Sequence, residues 1–478
     1  MQPNAPSIGA AMRPRQITVL LPALSACLLT IAPYPANAAT GGGPGPGAIW
    51  GLPFLGMLLS IAVLPVLAPR FWHKRMGAVA LAWSLALLLP MAAVSGIGAA
   101  AFAVWHAAWV EFFPFVLLLL ALFTTGGGIL VRGGLSGTPL ANTALLALGT
   151  GLAGLMGTTG AAMVLIHPLL RANAHRTRKR HLVIFFIVLV ANIGGATTPL
   201  GDPPLYIGFL HGVPFFWPLQ SLLAPMLLVA FPLLMVFYGI DRYFAASEPP
   251  PPPPEKFRLR GRFNILLIAL VVLTVLAQGL WRPGEVSLLG QAIGIERLAA
   301  MAVFLAIALV SVAFTPRAVR EGNDFTWHPM AEIGKMFAAL FLTIGPVMAM
   351  LASGMDGEMA FLLRLTQTPQ GELDPVALFW LAGFLSAFLD NAPTYLVFFN
   401  LAGGDPVYLM AHRETLLAIS AGAVFMGALS YIGNAPNFMV KAIAEDRGIA
   451  MPSFFGYMAW SCTILLPLFA LLTFLFFR

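Results

Sequence analysis

Twelve apolar runs dominate this chain, near 50–68, 77–95, 112–131, 138–155, 182–200, 222–240, 264–282, 298–315, 334–353, 375–388, 414–432 and 455–477. About 20 apolar residues in helix cross the roughly 30 Å hydrocarbon core of a bilayer, and most of these runs reach that length. In lipid every backbone N–H and C=O needs a partner within the protein, which leaves only helices or closed barrels. The runs lack the alternation of barrel strands. The expected fold is therefore an all-α polytopic membrane protein. Composition agrees: 9% of residues are charged and 59% hydrophobic, against roughly 25% charged in a soluble domain.

The runs fall into two related halves. Gly195-Ala196-Thr197-Thr198-Pro199-Leu200-Gly201-Asp202-Pro203-Pro204-Leu205-Tyr206-Ile207 and Gly427-Ala428-Leu429-Ser430-Tyr431-Ile432-Gly433-Asn434-Ala435-Pro436-Asn437-Phe438-Met439 share one pattern. The pattern is G-A-x-[TS]-x-[LI]-G-[DN]-x-P-x-[YF]-[IM], at an offset of 427 − 195 = 232. The same offset sets Thr158-Thr159-Gly160-Ala161-Ala162 against Asp390-Asn391-Ala392-Pro393-Thr394, and run 138–155 against 370–387. The expected organisation is a first repeat over 48–245, a proline-rich basic linker over 246–262 and a second repeat over 263–478.

Charge sets the orientation. The loop from Arg171 to His181 carries five Lys or Arg, and its counterpart from Gly403 to Arg413 carries one. Cytoplasmic loops are enriched in Lys and Arg, so the first loop belongs in the cytoplasm and the second outside. The linker, with Lys256, Arg258, Arg260 and Arg262, belongs in the cytoplasm too. The repeats are thus expected to be inverted, with an odd number of crossings in each. The net charge of +7 is explained by these loops rather than by a nucleic-acid partner. Arg13 and Arg15, an apolar stretch and Ala36-Asn37-Ala38 resemble a signal peptide over 1–38; an uncleaved first helix is the alternative. Cys27 and Cys462 lie far apart in apolar segments and form neither a disulfide framework nor a metal cluster.

Polar, Gly/Pro-broken stretches at matching places in two hydrophobic halves point to a transporter's binding site. Run 138–155 reads as a full span, and 156–170 after it as a re-entrant hairpin with its tip near Gly157-Thr158-Thr159. A second hairpin enters from outside at Asp390-Asn391. The two 13-residue motifs read as unwound points in discontinuous helices. Freed carbonyls and Asp, Asn, Thr and Ser oxygens suit a hard cation such as Na⁺. Asp202 and Asp390 are the acids of this set, and an intramembrane carboxylate needs a proton, a counter-ion or a polar cavity. Asn391 and Asn434 read as neutral ligands. Thr158, Thr159, Thr198 and Ser430 are further candidates, although hydroxyls in helices commonly bond backbone. Gly201 and Gly433 let backbone approach the ion. No Walker lysine motif, hydrolase constellation or cofactor box occurs, so the chain is not expected to be an enzyme.

The stretches MGTTGAAMVLIHPLLRANAHR, NIGGATTPLGDPPLYIGFLHGVPFFW, FLDNAPTYLVFFNLAGGD and GALSYIGNAPNFMVKAIAEDRG resemble the ion transporter superfamily. Within it the chain is most similar to NhaD-like bacterial sodium/proton antiporters and the group named as citrate transporters. The resemblance implies a multi-pass protein of the bacterial inner membrane, a homodimer, and a transport part that moves against a scaffold. Dicarboxylate members carry Ser-Asn-Thr at the hairpin tips; here the matching positions read Gly157-Thr158-Thr159 and Asp390-Asn391-Ala392. The leading expectation is Na⁺/H⁺ antiport, with Asp202 and Asp390 binding either ion and no cofactor beyond Na⁺. The alternative is Na⁺- or H⁺-coupled transport of citrate or a dicarboxylate.

Overall fold

Leu, Ala, Val and Phe fill the runs, and in lipid such segments satisfy their backbone as helix. The structure, a computed structural model, describes residues 47–251, 253, 256–289 and 291–478. The expected signal peptide lies outside the described residues. Among the described residues, ten helices are long and apolar enough to cross a membrane. The chain is an all-α, multi-pass membrane protein.

The first half contains α1 (Leu52–Leu67), α2 (Pro69–Ser95), α3 (Ile97–His106) and α4 (Phe113–Gly126). A π-helical segment, Ala107–Phe112, joins α3 and α4. Together they form one 30-residue span, Ile97–Gly126, where the expected run began only near 112. His106 and Glu111 interrupt its apolar pattern without interrupting the helix. Next come β1 (Leu130–Arg132), α5 (Pro139–Met156), α6 (Thr158–Ala172), α7 (Arg180–Leu189), α8 (Pro203–Leu210) and α9 (Trp217–Ala245).

After β2 (Arg258–Arg260), which pairs antiparallel with β1, the second half begins with α10 (Phe263–Leu280). A small hairpin, β3 (Glu285–Leu288) and β4 (Gln291–Gly294), leads to α11 (Ile295–Phe314) and α12 (Arg317–Gly322). Then follow α13 (His328–Thr343), α14 (Gly345–Ala352), α15 (Ala360–Leu365), α16 (Pro375–Leu389) and α17 (Asn391–Leu401). The chain ends with α18 (Pro406–Ala411), α19 (Arg413–Met426), α20 (Ala435–Asp446) and α21 (Phe454–Phe476).

Buried polar contacts fix which loops share an end of the bundle. Asn142 near the start of α5 and Asn173 just past α6 exchange amide hydrogen bonds of 3.0 and 2.8 Å. The run 138–155 is therefore not a separate crossing before the hairpin. It is the hairpin's first arm, α6 is the second, and both feet lie at one end. Asp241, near the end of α9, accepts from Asn142 (2.9 Å), His181 (2.8 Å) and Arg176 at the same end. Arg180 donates to Ala450 O at 2.7 Å. The linker joins them there. Glu248 accepts from the backbone N–H groups of Thr177 (2.8 Å) and Arg178 (2.7 Å). Those donors, Thr177 N–H first, hold its carboxyl at about 2, below the ordinary value. The contact's stabilisation is full above the ordinary carboxylate range and fades as pH falls toward 2. At the opposite end Arg413 donates to Gln220 O at 3.0 Å, and Pro406, after α17, lies against Gly212. The α16–α17 hairpin thus leaves the bundle at the end opposite the feet of the α5–α6 hairpin.

Candidate functional site

The sequence unwinds α7 and α19 by composition. Between α7 and α8, Gly194, Gly195 and Gly201 lack side chains, and Pro199, Pro203 and Pro204 lack backbone donors, so α7 gives way to a 3₁₀ turn at Ile193–Thr197. Between α19 and α20 the same happens, with a turn at Gly427–Leu429. The unwound points expected at the two 13-residue motifs fall here, inside runs 182–200 and 414–432. The two breaks share their backbone. Asp202 has φ −145° and ψ 143°, and Asn434 has φ −152° and ψ 139°; each stands at the N-cap position of the helix that follows, with its side chain turned away from a capping bond.

The hairpin tips also match, with a shift. Gly157 (φ 78°, ψ 152°) ends α5 as Asp390 (φ 78°, ψ 146°) ends α16. The tip offset is 390 − 157 = 233, one more than between the motifs. The pairing of Thr158 with Asp390 at 232 is thus one residue out: Asp390 stands where the first tip has glycine, and Thr158 matches Asn391. A non-glycine residue at positive φ is strained, so its side chain is held there by its surroundings.

Asp202 is the meeting point of both halves. Its Oδ1 accepts from Thr158 Oγ1 at 3.3 Å and Asn434 Nδ2 at 3.0 Å. Its Oδ2 accepts from Asn391 Nδ2. One donor comes from each hairpin and one from the opposite break. Asn391 Oδ1 is buried without a hydrogen-bond partner. Asp390 Oδ1 accepts from Ala392 N at 3.2 Å, and its carboxylate faces the same space as Asp202. Both acids, with Thr158, Thr159, Gly201 and Asn434, line a void of about 40 Å³. One water needs about 10–15 Å³ of such space, so the void has room for a small ion or a few waters. No Lys, Arg or His lines it.

Thr198 and Ser430 do not reach Asp202. Thr198 Oγ1 donates to Gly154 O on α5, and Ser430 Oγ to Ala387 O on α16. Each hydroxyl clamps its break to its own hairpin. Gly201 and Gly433 are places of close backbone approach. A Cβ at Gly201 would lie 2.1 Å from Gly195 O, and one at Gly433 2.6 Å from Gly427 O. Gly201→Ala is expected to destabilise the protein by about 1–3 kcal/mol or more, because backbone cannot step aside. Gly151→Ala, with nothing within 4 Å of the new atom, is the control; melting of the purified variants compares them.

Two amides outside the expected set hold the breaks together. Asn192 donates to Asn437 Oδ1 at 2.7 Å, and Asn437 donates to Gly427 O and Ser430 O, both at 2.9 Å. This amide pair ties one break to the other. An amide inside an apolar run hints at it, but the partner appears only in three dimensions.

A larger cavity of about 770 Å³ runs from Thr159, Asp390 and Asn434 to Asp324 and Arg447. Asp324 is well exposed and accepts from Arg447 Nη2 at 2.8 Å. His167, fully buried on α6, lies 3.2 Å from the same nitrogen of Arg447. Since Arg447 neighbours the Ala450–Arg180 contact, the cavity reaches the basic end. Four carboxylates line it, Asp324, Glu332, Asp390 and Asp446, against one guanidinium.

Residues 46–477 match a family whose description reads "Putative citrate transport". The chain belongs to this family. The match spans both hairpins and both breaks, so the whole site lies within the family's region. It places the chain among transporters. No curated protein matches the chain.

Proposed function

We propose that this chain is a secondary active transporter of the bacterial inner membrane that exchanges Na⁺ for H⁺ at Asp202 and Asp390. One observation carries the reading: two carboxylates face one ion-sized void with no cationic side chain lining it. Such a pair needs a proton or a cation to offset its charge, and competition between the two is exchange. Thr158, Asn391 and Asn434 supply neutral polar groups around them.

Alternating access follows from treating the halves as inverted repeats, whose matched breaks and oppositely entering hairpins support it. The basic loop at Arg171–Arg180 assigns its end to the cytoplasm, so the 770 Å³ cavity is the cytoplasm-facing path. The resemblance adds a homodimer with a mobile transport part.

Citrate transport is the second reading, and the family description favours it. The larger cavity has room for a tricarboxylate. Its four lining acids would repel a bare trianion, so citrate would enter with a cation.

Purified protein in liposomes with an internal pH dye separates the readings. Under an imposed pH gradient, Na⁺ alone is expected to drive proton movement. Silence to Na⁺, with a response only to citrate or to citrate plus a divalent cation, overturns the antiport reading in favour of the second.

A further inference from the structure

At the basic end a two-stranded ribbon carries cations that the transport reading does not use. In β1 and β2, Val131 pairs with Leu259, and Arg132 stands directly opposite Arg258. Val131 and Leu259 pack against the core. Side chains alternate along a strand, so Arg132, Arg258 and Arg260 share the other face with Leu130; Leu130 is buried opposite Arg260, and the three arginines are exposed. Like charges directly opposite destabilise a strand pair. Lys256 and Arg262 extend the cluster on either side of β2. None of these five side chains has a hydrogen-bond or ion-pair partner among the described residues, although the Arg132 guanidinium lies against Gly322 on α12.

The ribbon sits at the membrane boundary by chain connectivity. β1 follows the Ile97–Gly126 span within a few residues, and β2 stops just short of α10. Beside it Phe263 and Phe314, at the adjoining ends of α10 and α11, form an exposed ring pair with centroids 6.4 Å apart. Aromatic rings at span ends sit at headgroup depth. Rings at that level with unpartnered guanidinium groups beside them match a lipid whose headgroup carries a net negative charge.

We propose that the β1–β2 ribbon binds the headgroups of acidic phospholipids in the adjoining leaflet, through Arg132, Arg258 and Arg260. The attraction is that of a juxtamembrane basic cluster for a negatively charged lipid surface. It is independent of what the central site carries, so a failed antiport assay leaves it standing.

The test uses the full chain in nanodiscs of phosphatidylcholine alone or mixed with phosphatidylglycerol. Melting temperature and the phosphatidylglycerol retained on re-extraction are read. Wild type is expected to melt higher in the mixed discs, and the rise to shrink in high salt. R132Q/R258Q/R260Q is expected to lose that rise while melting at or slightly above wild type in the neutral discs, where the Arg132–Arg258 repulsion is relieved. Each arginine removed is expected to weaken phosphatidylglycerol retention roughly fivefold. R132K/R258K/R260K keeps the charge and is expected to keep most of the rise. Should the triple Gln variant fail to insert, Arg258→Gln alone is read for a partial loss of retention. A rise of equal size in wild type and the Gln variants overturns the proposal. So does no rise in wild type, or the same rise from inorganic phosphate added to neutral discs.

Discussion

Asp390→Asn protein in liposomes is expected to exchange Na⁺ for H⁺ at under about one-hundredth of the wild-type rate while melting as wild type does. The Asp390 carboxyl takes backbone N–H donors, Ala392 N onto Oδ1 at 3.2 Å with Asn391 N beside it, and an asparagine's carbonyl oxygen can take such a bond. The tip therefore keeps its cap, and what disappears is the negative charge. A carboxylate about 2.5 Å from a cation contributes roughly 6–7 kcal/mol at an effective dielectric of about 20. Desolvation of the ion offsets about half. The remaining ~3 kcal/mol is a factor of about 100 in affinity. Asp202→Asn is expected to abolish exchange as well, with a stability penalty of about 1 kcal/mol. Both oxygens of Asp202 accept from donors, so an amide must turn one N–H toward another donor. Wild-type exchange by both purified variants would sink the carboxylate mechanism, whatever the substrate. Loss of Na⁺-driven proton movement alongside intact citrate uptake would leave the acids as cation ligands only.

The apolar runs made the helical membrane fold readable, because hydrophobic length needs no partner to be recognised. The 13-residue motifs made Asp202, Asn434 and the two breaks readable for the same reason: glycine and proline act locally. The hairpins were harder. The tip near Gly157 was legible, but run 138–155 has the length and hydropathy of a span, and the Asn142–Asn173 contact is what makes it the hairpin's first arm. The tips could be paired at an offset of 232 or 233 from letters alone, and the positive φ shared by Gly157 and Asp390 selects 233. Thr198 and Ser430 looked like ligands, and a sequence cannot say that their hydroxyls face the hairpin arms. Arg176 counted toward the basic loop that orients the chain, yet it is buried. Charge counting ignores distance, and the partner of Arg176 is 65 residues away.

That partner, Asp241, is where a substitution far from the proposed ion site should do the most damage to stability. Asp241 is wholly buried and accepts from Arg176, His181 Nε2 at 2.8 Å and Asn142 Nδ2 at 2.9 Å. Arg176 also donates to Gly137 O at 2.5 Å, at the entrance to α5. These bonds seat the foot of the first hairpin on α9. Asp241→Ala leaves the Arg176 guanidinium buried without its counter-charge, which typically costs about 3–5 kcal/mol. The midpoint of thermal unfolding is expected to fall by roughly 5–10 °C. Arg176→Gln/Asp241→Ala is expected to be less damaging than the sum of the two single changes, because the second substitution removes the stranded charge. A double-mutant cycle on melting measures that coupling, and strict additivity would mean the pair contributes nothing as a pair. The same hairpin carries Thr158 to Asp202 at its far tip. A loosened foot is thus expected to lower the exchange rate of the Asp241→Ala protein even at temperatures where it remains folded.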